Sequence, residues 1–172
     1  MVESLHLKKY VKDREASMSL PIIERRRIEA ELIKPLYETL VAKFGVEQAR
    51  AVIEETIRKS AIAQAAGFAA QVEGGPSLQS FIDIQKFWTA EGALEIEVVE
   101  KGADHFDFNV TRCRYSEMYK EMGLGEIGSL LSCNRDGAFC EGYDPNLKLT
   151  RTQTLMGGAS HCDFRYRYER AL

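Results

Sequence analysis

Residues 94–110, Leu94-Glu95-Ile96-Glu97-Val98-Val99-Glu100-Lys101-Gly102-Ala103-Asp104-His105-Phe106-Asp107-Phe108-Asn109-Val110, mark where the chain stops repeating every three to four residues and starts repeating every two. Leu94, Ile96 and Val98 alternate with Glu95 and Glu97, the pattern of a strand with one wet face. Lys101-Gly102-Ala103-Asp104 has turn chemistry. Beyond it, Phe106, Phe108 and Val110 fall on one side of a second strand. Asp107, Asn109, Thr111 and Cys113 fall on the other. The segment predicts an antiparallel hairpin.

Upstream the spacing is helical. Pro21 suits a first turn, where its missing N–H is not needed. Ile22, Ile23, Ile28, Leu32, Leu36, Leu40 and Phe44 predict one inward stripe that stops at Gly45, and Pro35 should kink or divide that helix. A second helix is predicted from Val46 to Val72, with Val52, Ile53, Thr56, Ile57, Ala63 and Gly67 on a narrow face. Its residues 61–70 are small enough to permit close backbone approach. Gly74-Gly75-Pro76 ends it, and Ser77 can cap a third helix that turns Leu78, Phe81, Ile82 and Trp88 inward.

Downstream, residues 115–122 and 125–131 read as two short helices parted at Gly123. Cys133-Asn134-Arg135-Asp136-Gly137 follows with turn chemistry at its end. Residues 147–155 and 162–168 read as two more strands joined across Gly157-Gly158. The fold class is therefore α+β: N-terminal helices packed on a mainly antiparallel, about four-stranded sheet with a short helical insertion. Residues 1–20 form a polar N-terminal segment. Residues 21–172 form one domain, helical over 21–90 and carrying the sheet and the site over 91–172.

The 172 residues are 45 % hydrophobic, enough for a substantial core. A net charge of -3 argues against general nucleic-acid binding. The run Arg25-Arg26-Arg27, set among acids, reads as a solvated helix face. No stretch is long and apolar enough for a membrane span, and the N-terminus has no apolar signal core. The expected location is cytoplasmic, where the four cysteines are free thiols, ligands or catalysts rather than disulfides.

All four cysteines lie between Cys113 and Cys162. A catalytic cysteine needs a base or a positive field to become a thiolate. Cys162 has His161 and Arg165 nearby, but strand alternation points His161 and Cys162 to opposite faces. Free cysteine is commonly buried, so a core position beside Phe164 and Tyr166 competes with the functional one. Cys113 stands between Arg112 and Arg114, Cys133 lies three residues before Asp136, and Cys140 looks ordinary. No CxxC or HxxxH pair occurs, yet Cys113, Cys133 and Cys162 on separate elements can converge on a metal. His105 reads as a strand-end histidine. Arg151, expected in mid-strand, needs an anionic partner: Asp136, Asp163 or a substrate carboxylate. Gly157-Gly158 lacks the residues of a phosphate-binding loop.

At these residues the chain resembles the L-2-amino-thiazoline-4-carboxylic acid hydrolase family. The resemblance rests on Phe108-Asn109-Val110-Thr111-Arg112-Cys113-Arg114-Tyr115, on Cys133-Asn134-Arg135-Asp136, and on Leu149-Thr150-Arg151-Thr152 through Gly157-Gly158 to His161-Cys162-Asp163-Phe164. It runs from about residue 25 to 168, with its specific part after residue 105. It implies hydrolytic opening of a cyclic isothiourea or amidine to an N-carbamoyl amino acid, by attack of a thiolate or activated water on the amidine-type carbon. Cys162 is then the nucleophile, with Cys113 and Cys133 as rivals. Asp136 or Asp163 orients the amidine nitrogens, His161 or a carboxylate protonates the leaving atom, and Arg151, Thr152 and Asn109 hold the substrate. No cofactor is implied, zinc on the three thiols being the alternative. The ending Gly-Gly-x-x-x-Cys-x-Phe is also similar to vinyl-reductase-type small-molecule-binding domains. These pair helices with a four-stranded antiparallel sheet and often dimerise, and they imply a non-enzymatic binding or sensory role. The small-residue stretch 61–70 also suits a homodimer.

Overall fold

The period change at Leu94 coincides with the junction between helices and sheet in the computed structural model, which describes residues 20–169. The polar segment expected over 1–20 lies, but for Leu20, outside the described residues. Helices α1 (Ile22–Phe44), α2 (Val46–Ala69), α3 (Leu78–Ile84) and α4 (Lys86–Thr89) precede strands β1 (Leu94–Lys101) and β2 (His105–Cys113). The insertion holds α5 (Arg114–Glu121), a π-helical turn at Ser129–Cys133, and α6 (Asn134–Tyr143). Strands β3 (Leu147–Thr150) and β4 (Cys162–Tyr168) complete a sheet of order β1-β2-β4-β3, antiparallel throughout. This is the expected α+β layout.

Helix α1 runs unbroken through Pro35, so it is not divided there. Its inward face also differs from the expected stripe. Ile22, Ile23, Arg26 and Ala30 are buried, with Ile33, Tyr37 and Leu40 packed behind them. Ile28, Leu32, Leu36 and Phe44 are exposed. The positions 23, 26, 30, 33, 37 and 40 keep helical spacing only if Arg26 is admitted to the core, and a buried arginine breaks the apolar signal.

On α2 the buried residues are Ala49, Ile53, Ile57, Ala61 and Ala65, one every four positions, while Val52, Thr56, Ala63 and Gly67 are exposed. Of the small residues in 61–70, Ala61 and Ala65 are buried within the chain. Ser77 does cap α3, in a reciprocal pair with Ser80.

Two expectations in the second half are corrected. The turn chemistry expected at the end of residues 133–137 does not make a turn, because residues 134–143 form a helix. Gly137 and Gly142 lower its intrinsic propensity, but burial of Ala138, Phe139, Cys140 and Tyr143 outweighs that. Strand β3 ends at Thr150 rather than Leu155. The backbone N–H groups of Thr152 and Gln153 donate to Asp163 Oδ1 at 2.9 and 2.8 Å, so they leave the ladder that would continue onto β4.

Two apolar clusters result. One joins α1, α2, α5 and Leu124–Leu131; the other lies between the sheet face and α2, α3 and α6. Trp88, Leu94 and Cys113 pack against both. The site lies at that junction.

Candidate functional site

Strand parity decides which side chains reach the junction. Val110 pairs with Ile96, but Arg112 pairs with Glu95, so Thr111 is an extra residue on β2. Such a bulge reverses the alternation beyond it. Cys113 therefore joins Phe108 and Val110 on the inner face, not Asp107 and Asn109 on the outer one. Across the ladder, Val110 faces Cys162 and Phe108 faces Phe164, which places Cys162 on the same wall.

The opposite wall comes from the insertion. The amide of Asn134 donates to the carbonyl of Ser129, five residues back, the mark of a π turn. That turn and the start of α6 bring Ser132, Cys133, Arg135 and Asp136 to one cavity. The aromatic side chains Phe81, Trp88, Phe108, Phe139, Phe164 and Tyr166 surround it. Its volume is about 80 Å³, several times the roughly 10–15 Å³ that one water requires.

Arg151, just past the end of β3, takes the internal carboxylate. It pairs with Asp136 Oδ2, donates to the carbonyl of Cys133 at 2.9 Å, and lies 4.9 Å from the centre of the Phe164 ring. Burial works against the Arg151 charge, but Asp136 outweighs it and raises the guanidinium. The Asp136 carboxyl is raised as well, because burial outweighs the stabilising pull of Arg151.

Each cysteine thiol is pushed upward, with burial the largest cause. Cys113 rises to about 11 and Cys133 to about 12. At Cys162 the Leu155 N–H, 3.2 Å from Sγ, and the Arg151 charge oppose the rise. The amide of Ser116 donates to Cys113 Sγ at 3.4 Å, so this thiol also caps α5. Cys140 donates to the carbonyl of Asp136 within α6 and is a core residue.

Of the residues expected to form the site, Cys113, Cys133, Cys162, Asp136 and Arg151 share the cavity. His161, Asp163, Thr152 and Asn109 do not line it. His161 meets Gln153 and Ser160. Asp163 ties down Thr152 and Gln153, and these bonds outweigh burial and hold its carboxyl low. Asn109 accepts from Arg165 at 3.0 Å. In this structure these four make their contacts in the loop and on the outer sheet face. Among the described residues, no three His, Cys, Asp or Glu side chains form a group able to hold a metal.

Sequence reasoning missed Arg26, Gln64 and Arg135. Arg26 belongs to a basic run that reads as solvated, yet it is 5 % exposed and bonded to Glu29 and Gln64. Its helical phase with Ile23 and Ala30 is the available signal. Among the described residues, no helix is long and apolar enough to cross a membrane.

A family model described as L-2-amino-thiazoline-4-carboxylic acid hydrolase matches residues 25–166. No curated protein matches the chain. Among solved structures, the phenol-responsive sensory domain of the transcription activator PoxR, bound to phenol, is similar at a TM-score of 0.52 and 16% identity. That match covers 81% of this chain and 73% of the other. A trafficking protein particle complex subunit 3 from Naegleria fowleri, covalently bound to palmitic acid, is similar at 0.51 and 9% identity, over 86% of this chain and 97% of the other. At such identities the likeness is one of fold.

Proposed function

The chain belongs to the L-2-amino-thiazoline-4-carboxylic acid hydrolase family, and from that membership we propose that it hydrolyses a small cyclic amidine or isothiourea, opening a C–N or C–S ring bond with Cys162 as nucleophile. The observation that carries the reading is the meeting of Cys162, Cys113, Cys133 and the Asp136–Arg151 pair in one cavity. Cys162 is preferred among the thiols because Arg151 and a backbone N–H both favour its thiolate.

With an aminothiazoline, Asp136 accepts the Cys162 proton as the Cys162 sulfur attacks the carbon that bears the ring sulfur and two nitrogens. The ring C–S bond breaks, and Asp136 returns the proton to the departing sulfur. Water then replaces Cys162 on that carbon. The products are an N-carbamoyl amino acid and the regenerated thiol. Arg151 holds Asp136 Oδ2, so Oδ1 is the oxygen that handles the proton.

The test is incubation with 2-aminothiazoline-4-carboxylate, followed by mass spectrometry for the ring-opened product. The wild type should turn over and Cys162→Ser should not. Equal turnover by Cys162→Ser removes the nucleophile. Saturable binding without turnover favours a second reading, a small-molecule-binding or sensory domain. That reading draws on the aromatic cavity walls, on the raised thiols and on the fold shared with a phenol-responsive domain.

A further inference from the structure

The cavity has a second polar region, and its charges do not balance. Arg26 and Arg135 are 5% and 7% exposed, and both line the cavity. They share one carboxylate. Glu29 accepts from Arg26 Nη1 at 2.7 and 2.9 Å and from Arg135 Nη2 at 2.7 Å. The other partners are neutral: Gln64 Oε1 accepts from Arg26 Nη2 at 2.6 Å, and the carbonyl of Leu131 accepts from Arg135 Nε at 2.8 Å. Asp136, next in sequence, is engaged by Arg151. Among the described residues, two guanidinium groups thus face one carboxylate.

One donor remains. Arg135 Nη1 is buried and has no hydrogen-bond partner among the described residues. A buried, unpaired guanidinium N–H costs free energy that a ligand oxygen would recover. The two like charges also act on each other: burial first, then Arg26, pulls the Arg135 guanidinium down to about 10. An anion bound there would relieve both.

We propose that the Arg26–Arg135 region is a carboxylate subsite, where a small ligand's carboxylate accepts from Arg135 Nη1 while its ring lies against the aromatic walls. This deepens the proposed function, since it rests on the same cavity receiving the substrate, but it does not need turnover. It moves the expected carboxylate contact from Arg151, which holds Asp136, to Arg135.

The experiment compares carboxylates with their neutral carboxamides by calorimetry. One pair is benzoate and benzamide on the wild type. The other is 2-aminothiazoline-4-carboxylate and its 4-carboxamide on Cys162→Ser, which separates binding from turnover. Each carboxylate should bind about 10- to 100-fold more tightly than its carboxamide. Arg135→Gln should reduce the preference to about threefold or less, with circular dichroism to check the fold. Arg151→Gln should keep the preference. No preference in the wild type, including failure of every ligand to bind, overturns the inference whether or not Arg135→Gln folds. So does a preference that survives Arg135→Gln or vanishes in Arg151→Gln. Preference without turnover upholds the subsite and refutes the hydrolase; turnover without preference does the reverse.

Discussion

Gly142 of α6 lies against the backbone of Ile62 on α2: a methyl group on Gly142 would come within 2.8 Å of the Ile62 Cα. The two helices approach this closely because both carry small residues at the crossing, Gly142 on one side and Ala61 and Ala65 on the other. The same crossing positions the start of α6, and with it Arg135 and Asp136.

Gly142→Ala should therefore destabilise the protein despite alanine's better helix propensity. Forcing a methyl into backbone costs about 1–3 kcal/mol. For a chain of this size that lowers Tm by about 2–12 °C. A thermal melt showing equal or greater stability would mean that the contact relaxes at no cost.

The Asp136–Arg151 pair should show strong coupling. Asp136→Asn or Arg151→Met alone leaves a partly buried charge unmatched, at a cost of about 3–5 kcal/mol. The double variant should cost less than the sum of the two, by about 1–3 kcal/mol. Denaturant unfolding of all four proteins measures this, and additive costs would show that the pair does not act as a unit.

The Asp136–Arg151 pair is among the partners the sequence offers, whereas the Gly142–Ile62 contact is concealed in it. The hairpin and β4 are legible because their alternation is clean over Phe106–Val110 and Cys162–Tyr166. The inward face of α1 is not, because Arg26 takes a core position and is matched by Gln64, which lies 38 residues away. Helix α6 is hidden because Gly137 signals a turn locally and Gly142 lowers helix propensity, while the reason for Gly142 is Ile62 on another helix. Cys113 is assigned to the wrong face because a single bulge at Thr111 reverses parity, and nothing in the local composition marks a bulge. For the same reason the bridge between Arg135 and Glu29 is invisible: 106 residues separate them.

Acid should destabilise the protein partly through Asp107. This carboxyl is 6% exposed and pairs with Arg167, which chiefly holds it below its ordinary value near 3.8. Its folded pKa is lower than its unfolded one, so the stabilisation is complete above about pH 4 and is lost as pH falls through the folded value. Asp107→Asn should flatten the stability profile over that acidic window. An acid limb as steep as the wild type's would assign the loss to other carboxylates.

Thiol chemistry gives the last expected outcome. With Cys113 raised to about 11 and Cys133 to about 12, mainly by burial, neither carries much thiolate near neutral pH. Cys162, also raised by burial, retains the opposing help of the Leu155 N–H and Arg151. Iodoacetamide should therefore label Cys162 first, as peptide mapping will report. The Cys113 and Cys133 rates should climb about tenfold per pH unit through pH 9 to 10, where an ordinary thiol begins to level off. Levelling near pH 9 at all three would mean that burial does not control these thiols. In the proposed hydrolase, Cys162 passes its proton to Asp136 as it attacks. Asp136→Asn should then abolish turnover while leaving the labelling order unchanged, which separates proton transfer from thiol exposure.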